Sequence, residues 1–283
     1  MNRRKSEEKI MLLLMGFSTC LVVGLLLLII GSVLVKGFAS LSLEMLTSTP
    51  AGGYYLGGGG GILNAIVGSL VLGLASTLLA AMVSLPVVLY LNLYRRRGSK
   101  FAMLVRFFLD VLWGIPSIVY GAFGFTLMVI FRVPASLLAG TIAIALVIMP
   151  IMARSMDEVL KMVPEELKDA SLSLGANRLE TAIKVITRQA MPGLVTSLLI
   201  AFGRGIGDAA AVLFTAGFTD SLPYSLFRPV ATLPLAIFFQ LGTPFPEVQS
   251  RGYASAFVLM VLVLSVSLVA RRLSGRLTRN VIK

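Results

Sequence analysis

Six stretches of this chain run for about 20 residues or more with almost no charge, and that pattern leaves few folds open. About 20 apolar residues cross a hydrocarbon core of about 30 Å, where each backbone N–H and C=O must find its partner inside the protein. Helices meet that demand. The expected fold is an all-α membrane protein with six transmembrane helices, near residues 11–35, 62–93, 102–131, 134–153, 191–218 and 252–270. The chain is 57% hydrophobic and 13% charged, against roughly 25% charged in an average soluble domain. Basic Arg3, Arg4 and Lys5 precede the first run, which is about twice the length of a signal-peptide core and lacks a small-residue cleavage pattern; it reads as a retained span.

The formal charge of +12 raises the question of nucleic acid. The placement of the charges answers it. Nineteen of the 25 Lys and Arg fall within residues 3–9, 95–100, 154–188 and 271–283, all flanking apolar runs. By the positive-inside rule these segments are cytoplasmic, so both termini are expected inside. Anionic lipid accounts for the basicity, and no nucleic-acid partner is implied.

Three other signals subdivide the chain. Pro116, in GIPSIVYG, removes a backbone donor and predicts two half-helices within the third span. Residues 57–61 are five glycines, expected as a flexible lead into the second span. The outer segment 219–251 carries five prolines, and within it VATLPLAIFFQLG predicts a short helix at the membrane surface. The expected organisation is a tail, first helix and Gly-rich outer segment over 1–61, a core over 62–272, and a basic cytoplasmic tail over 273–283.

The chain lacks histidine and has one cysteine, Cys20, so no metal site of the usual kind and no imidazole base is expected. No glycine precedes a lysine, which removes a Walker A loop; ATP and Mg are expected on a partner, and this chain is expected to be non-catalytic. Energy for uphill transport would then come from another subunit or from an ion gradient.

The long cytoplasmic loop, 154–190, has two marked helix starts. Pro164 suits a first turn, Glu165 and Glu166 suit its positive end, and Gly175 can stop it in the left-handed conformation. Leu167, Ala170, Ser171 and Leu174 recur at three and four residues as a small stripe, with Asp169 beside it. A second helix starts at Asn177, boxed by Glu180, with Leu179, Ile183 and Ile186 as its apolar face.

The run DASLSLGANRLETAIKVITRQAMPG resembles the EAA loop of ABC importer permeases, the coupling helix that enters a cleft of the ATPase subunit. Asp169, Ala170, Ser171 and Gly175 fall on the Glu-Ala-Ala and Gly positions; Thr187-Arg188 replaces the usual Leu-Pro. With GGGILNAIVGSL, GIPSIVYGAFGF, GRGIGDAAAVLFTAGF and RPVATLPLAIF in this order, the chain is similar to the PstA-type permease family of phosphate-specific ABC importers. The resemblance implies a type I importer permease fold (MetI-like) in a bacterial inner membrane. It also implies a homologous second permease (PstC-type), an ATPase dimer (PstB-type) and a periplasmic phosphate-binding protein (PstS-type).

Within the fifth run, Arg204 and Asp208 are four residues apart, and Ala211 and Thr215 continue that helical face. A charge at that depth costs at least about 2.5 kcal/mol, so it needs compensation. Either the two neutralise each other, or Arg204 attracts a tetrahedral oxyanion through its planar fork of donors. The resemblance implies the second reading, although the family's acid is usually Glu. A carboxylate there repels a bare dianion but accepts the P–OH of hydrogen phosphate. A permease for sulfate or molybdate and an ion-gradient anion carrier are the alternatives. Arg106 and Asp110 repeat the spacing at the inner start of the third span, as a packing pair or a cytoplasmic gate.

Overall fold

The computed structural model describes residues 2–54, 58–95 and 99–277; of the basic tail, 278–283 lie outside the described residues, as do Gly57, Arg96 and Arg97. The described residues are helical, with one isolated bridge, Pro50 to Gly60. In chain order the helices are α1 (Asn2–Ala39), α2 (Leu43–Thr47), α3 (Leu63–Leu89, extended by a π-helical turn Tyr90–Tyr94), α4 (Lys100–Trp113), α5 (Ser117–Phe131), α6 (Leu137–Lys161), α7 (Glu165–Ser173), α8 (Arg178–Glu180, running through a π turn Thr181–Ile186 into α9, Thr187–Gly207), α10 (Leu233–Leu241) and α11 (Pro246–Leu277).

Five of these helical runs are long and apolar enough to cross a membrane, and the pair α4–α5 makes a sixth if its 93° bend is counted as one broken span. The break falls where Pro116 predicts it. Pro116 has φ −57° and ψ 138°, extended rather than helical, and Ser117 begins the next helix. α5 has 15 residues, about 22 Å at 1.5 Å per residue, too short for a full crossing by itself. α4 therefore lies as an arm roughly perpendicular to it. Leu109 and Ala102 of the arm are buried, while Phe101, Leu104, Phe107 and Phe108 are exposed, as suits a helix with one face toward lipid.

The core is a three-helix contact of α3, α6 and α9. Ile144, Ile148 and Met152 on α6 are fully buried, packed with Leu72 and Val88 of α3 and Ala201 of α9. α1 stands largely outside this core and packs chiefly along α11, where Phe38 meets Phe257 edge-on with ring centroids 6.0 Å apart.

Two expectations for the outer segments are corrected. The glycines are not a loose lead: Gly60 has φ +108°, and a Cβ there would strike the backbone of Thr49 to Ala51. Ala51 N–H donates to the Gly59 carbonyl and Gly61 N–H to the Thr49 carbonyl, each at 3.2 Å, so close backbone approach is what requires glycine. α10 forms where expected, but it is inserted in the bundle. Leu233, Leu235, Ala236 and Gln240 are buried; the Leu233 N–H donates to Ser69 Oγ at 2.7 Å and Gln240 Oε1 accepts from Ser255 at 3.0 Å. A non-helical approach to α10 is tolerated at this depth because such partners satisfy its polar groups. Tyr54 is buried in the same cluster as Leu233 and Ala236, with the Arg251 guanidinium 4.4 Å from its ring centroid. Burial pushes its phenol up to about 12 despite that cation and Gln240, so Tyr54 stays neutral across the physiological range.

Candidate functional site

The fifth span ends earlier than its apolar pattern predicts. α9 stops at Gly207, and Asp208 leaves the helix with φ −83° and ψ 116°. Its Oδ1 then accepts the Ala211 N–H at 2.9 Å, capping a short helical turn that runs to Ala216. The expected face joining Arg204, Asp208, Ala211 and Thr215 is therefore absent. Thr215 is 1% exposed, and its hydroxyl donates back to the Ala211 carbonyl at 2.9 Å. Surrounding loops satisfy this unwound stretch: Ser136 N–H donates to the Thr215 carbonyl and Val230 N–H to that of Ala216, both at 3.0 Å. Gly121 of α5 lies against the carbonyls of Ala210 and Ala211, too close for any Cβ.

Arg204, on the last turn of α9, is exposed and makes no ion pair or hydrogen bond among the described residues. The neutralising pair with Asp208 does not form. Gly203 and Gly207 flank Arg204 with open space where a Cβ would be, so the guanidinium stands on an uncluttered face of the chain. Asp208 is half-buried beside it, and only Oδ1 of its carboxylate is used by the cap. Arg204 thus keeps its planar fork of donors, and Asp208 one carboxylate oxygen, uncommitted to any partner among the described residues.

At the end of the bundle near α7 the charges behave in the opposite way. Arg106 does not pair with Asp110. Its Nε and Nη2 grip the two carboxylate oxygens of Asp157 at 2.8 and 3.0 Å, and Asp110 takes Arg154 Nε at 2.6 Å. The i,i+4 rule was outweighed by partners on the neighbouring helix α6. Asp157 is wholly buried and also meets Lys161 at 2.8 Å, Arg154 at 3.2 Å and Asn92 Nδ2 at 2.8 Å. This acid, which joins the end of α3, the α4 arm and α6, was not singled out by the sequence. Its signal was Arg154 three residues before and Lys161 four residues after, which place two cations on its own helical face.

The connection from α6 to α9 forms the two expected helices and protrudes as a knob. Pro164 precedes α7, and Gly175 adopts φ +88°, the left-handed stop. Leu174 is 89% exposed; Glu165, Glu166, Asp169 and Ala170 are exposed, and Leu167 is half-buried. Ser171 turns inward to a 3.0 Å hydrogen bond with Thr181. The capping box of Asn177 and Glu180 is present, with Glu180 N–H donating to Asn177 Oδ1 at 2.8 Å and Asn177 N–H to Glu180 Oε2 at 3.1 Å. The apolar face expected for the second helix is split: Ile186 is buried, whereas Leu179 and Ile183 are 59% and 58% exposed. The π turn at Thr181–Ile186 shifts the register of the helix and separates them. Leu174, Leu179 and Ile183 thus give the knob an apolar surface with acids beside it.

Residues 83–279 match the family described as binding-protein-dependent transport system inner membrane component. The phosphate transport system permease protein PstA of Haemophilus influenzae is 33% identical over 269 residues, 95% of this chain and 94% of that protein. PstA 1 of Mycobacterium tuberculosis is 31% identical over 223 residues, covering 78% and 72% of the two. Among solved structures, an inward-facing form of the MetNI methionine ABC transporter aligns with TM-score 0.63 at 20% identity, over 76% of this chain and 95% of that one. A bacterial alginate ABC transporter in complex with its ligand-bound periplasmic protein aligns with TM-score 0.60 at 11% identity, over 94% and 96%. The two structural likenesses concern the fold, which is that of an ABC importer permease.

Proposed function

This chain belongs to the family of binding-protein-dependent transport system inner membrane components, and on that premise we propose that it forms half of the membrane pathway of an ATP-driven importer of inorganic phosphate. The observation that carries the reading is the similarity to phosphate permeases along 95% of the chain, together with a guanidinium that has no partner among the described residues beside an unwound turn. A membrane permease of this kind does no covalent chemistry. A separate ATPase dimer, a homologous second permease and a periplasmic phosphate-binding protein complete the complex.

The chemistry follows from the two charged groups. Arg204 keeps its charge at any physiological pH and offers a fork that fits two phosphate oxygens. Asp208 is fixed by its cap to Ala211, which leaves Oδ2 to accept the P–OH of hydrogen phosphate. A fully ionised oxyanion such as sulfate has no proton to give, so it brings two negative charges against an unpaired acceptor. Thr215, with its hydroxyl turned to the Ala211 carbonyl, takes no part in this contact. The knob enters the ATPase through Ala170, Leu174 and Gly175, with Glu165, Glu166 and Asp169 on its rim. Closure of the ATPase dimer moves the knob and, through α6 and α9, changes the side from which Arg204 is reached. The clamp of Arg106 and Asp110 on α6 makes the α4 arm follow that motion.

Uptake of labelled phosphate into proteoliposomes tests the reading, with the complete complex compared with a preparation lacking the ATPase. Accumulation is expected only with the ATPase and ATP, and excess sulfate should leave it unchanged. Accumulation without the ATPase, or equal competition by sulfate or molybdate, contradicts it.

A further inference from the structure

A cleft of about 340 Å³ lies at the cytoplasmic end, between the π-helical end of α3, the end of α6 and the first turn of α7. That volume is in the range of about 300–1,000 Å³ typical of small-ligand sites. Four cations line it, Arg95, Arg106, Lys161 and Lys168, against one carboxylate, Glu165. Two of the four are already committed, since Arg106 and Lys161 hold Asp157 at 2.8 Å each. Asp157 is saturated by them with Arg154 and Asn92, so it makes no use of the other two.

Arg95 and Lys168 are surplus to that network. Lys168 makes no hydrogen bond or ion pair among the described residues. Arg95 has no acidic partner among the described residues, but its guanidinium is held over two aromatic faces, 4.7 Å from the Phe101 centroid and 5.3 Å from that of Tyr90. Stacking fixes the plane of the guanidinium and leaves its N–H edge free, the arrangement that suits a phosphate. The floor of the cleft is apolar, with Leu93 and Ile186 buried, and α4 beside it exposes a row of aromatic and aliphatic side chains. Basic pockets between helices on the cytoplasmic side are where phosphate-bearing headgroups settle.

We propose that this cleft binds a phosphate-bearing anion between Arg95 and Lys168, with Arg106 lending its remaining Nη1 donor. Such an anion ties the end of α3 and the α4 arm to the first turn of α7, so its occupancy stiffens the link between the knob and the bundle. The same chemistry has two sources, the headgroup of an anionic phospholipid and free phosphate in the cytosol. This site lies at the start of α9, where Ile186 lines it, and Arg204 is on the last turn of that helix, so the site does not depend on the substrate assigned there.

The test reads the reactivity of Lys168 itself. The complete complex in nanodiscs is treated briefly with an amine-acylating reagent, and modification of Lys168 is quantified by peptide mass spectrometry against Lys184, which is 72% exposed on the same loop. Three preparations are compared: phosphatidylcholine alone, phosphatidylcholine with phosphatidylglycerol, and phosphatidylcholine with inorganic phosphate. Modification of Lys168 relative to Lys184 is expected to fall about fivefold in the second or third preparation, the factor for one cation near an anionic group. A fall in the second assigns the lipid as the source; a fall in the third assigns the free anion. Arg95→Gln is expected to abolish the protection. The proposal is overturned by equal reactivity of Lys168 in all three preparations, by equal protection of Lys184, or by protection that survives Arg95→Gln.

Discussion

Two sets of charges sit in this bundle under opposite rules. At the end near α7 Asp157 is wholly buried and bound by Arg106, Arg154, Lys161 and Asn92, every group of the cluster facing one of opposite sign or a matching dipole. Towards the other end of α9, Arg204 has no partner among the described residues, although Asp208 is only four residues away and is occupied by its own cap. A charge satisfied inside the fold holds elements together, whereas Arg204, open among the described residues, is the one we propose meets the transported anion. The two sets consist of the same residue types and differ in whether the fold supplies a partner.

The largest effect should come from breaking the satisfied set. Asp157→Ala leaves three cations facing a buried void and is expected to cost about 3–5 kcal/mol, as when one partner is removed from a buried pair; a thermal melt of the purified complex should show it. Next, Asp208→Asn keeps an acceptor for the Ala211 N–H but loses the negative charge, and it should cut discrimination against sulfate by at least about tenfold in competition uptake. Unchanged discrimination would move Asp208 to the structural side of the comparison. Gly175→Val places a β-branched residue at φ +88°, a local strain of about 1–2 kcal/mol at the knob; more ATP should be hydrolysed per phosphate carried, with the melt of the bundle nearly unmoved. Smallest is Asp110→Asn. Its 2.6 Å pair with Arg154 is half exposed, at 48% for Asp110, and such pairs contribute up to about 1 kcal/mol.

Local chemistry was readable in the sequence wherever one or two residues decide the outcome. Pro116 forecast the break between α4 and α5, Asn177 with Glu180 forecast a capping box, and Gly175 forecast a left-handed stop; each acts within a turn of itself. What failed to show were choices made by distant partners. Arg106 and Asp110 satisfy the helical spacing for a pair, yet α6 offers both of them better-placed partners. The end of α9 at Gly207 was hidden because residues 191–218 read as one apolar run apart from Arg204 and Asp208. Its unwinding is sustained by Ser136 and Val230 donating to the freed carbonyls from loops far along the chain. The burial of α10 was missed for the same reason, since Ser69 and Ser255 supply its polar bonds from other helices.

The central claim is that Arg204 is open because it receives the transported anion. Phosphate uptake by the assembled complex carrying Arg204→Ala tests this most directly, measured beside a melt of the same preparation. The account predicts a fall in uptake of about 100-fold or more, the scale of losing an essential oxyanion donor, with stability changed by no more than about 0.5 kcal/mol, as for an unpartnered exposed side chain. Uptake at the wild-type rate, or a loss of uptake that tracks a loss of stability, would contradict it.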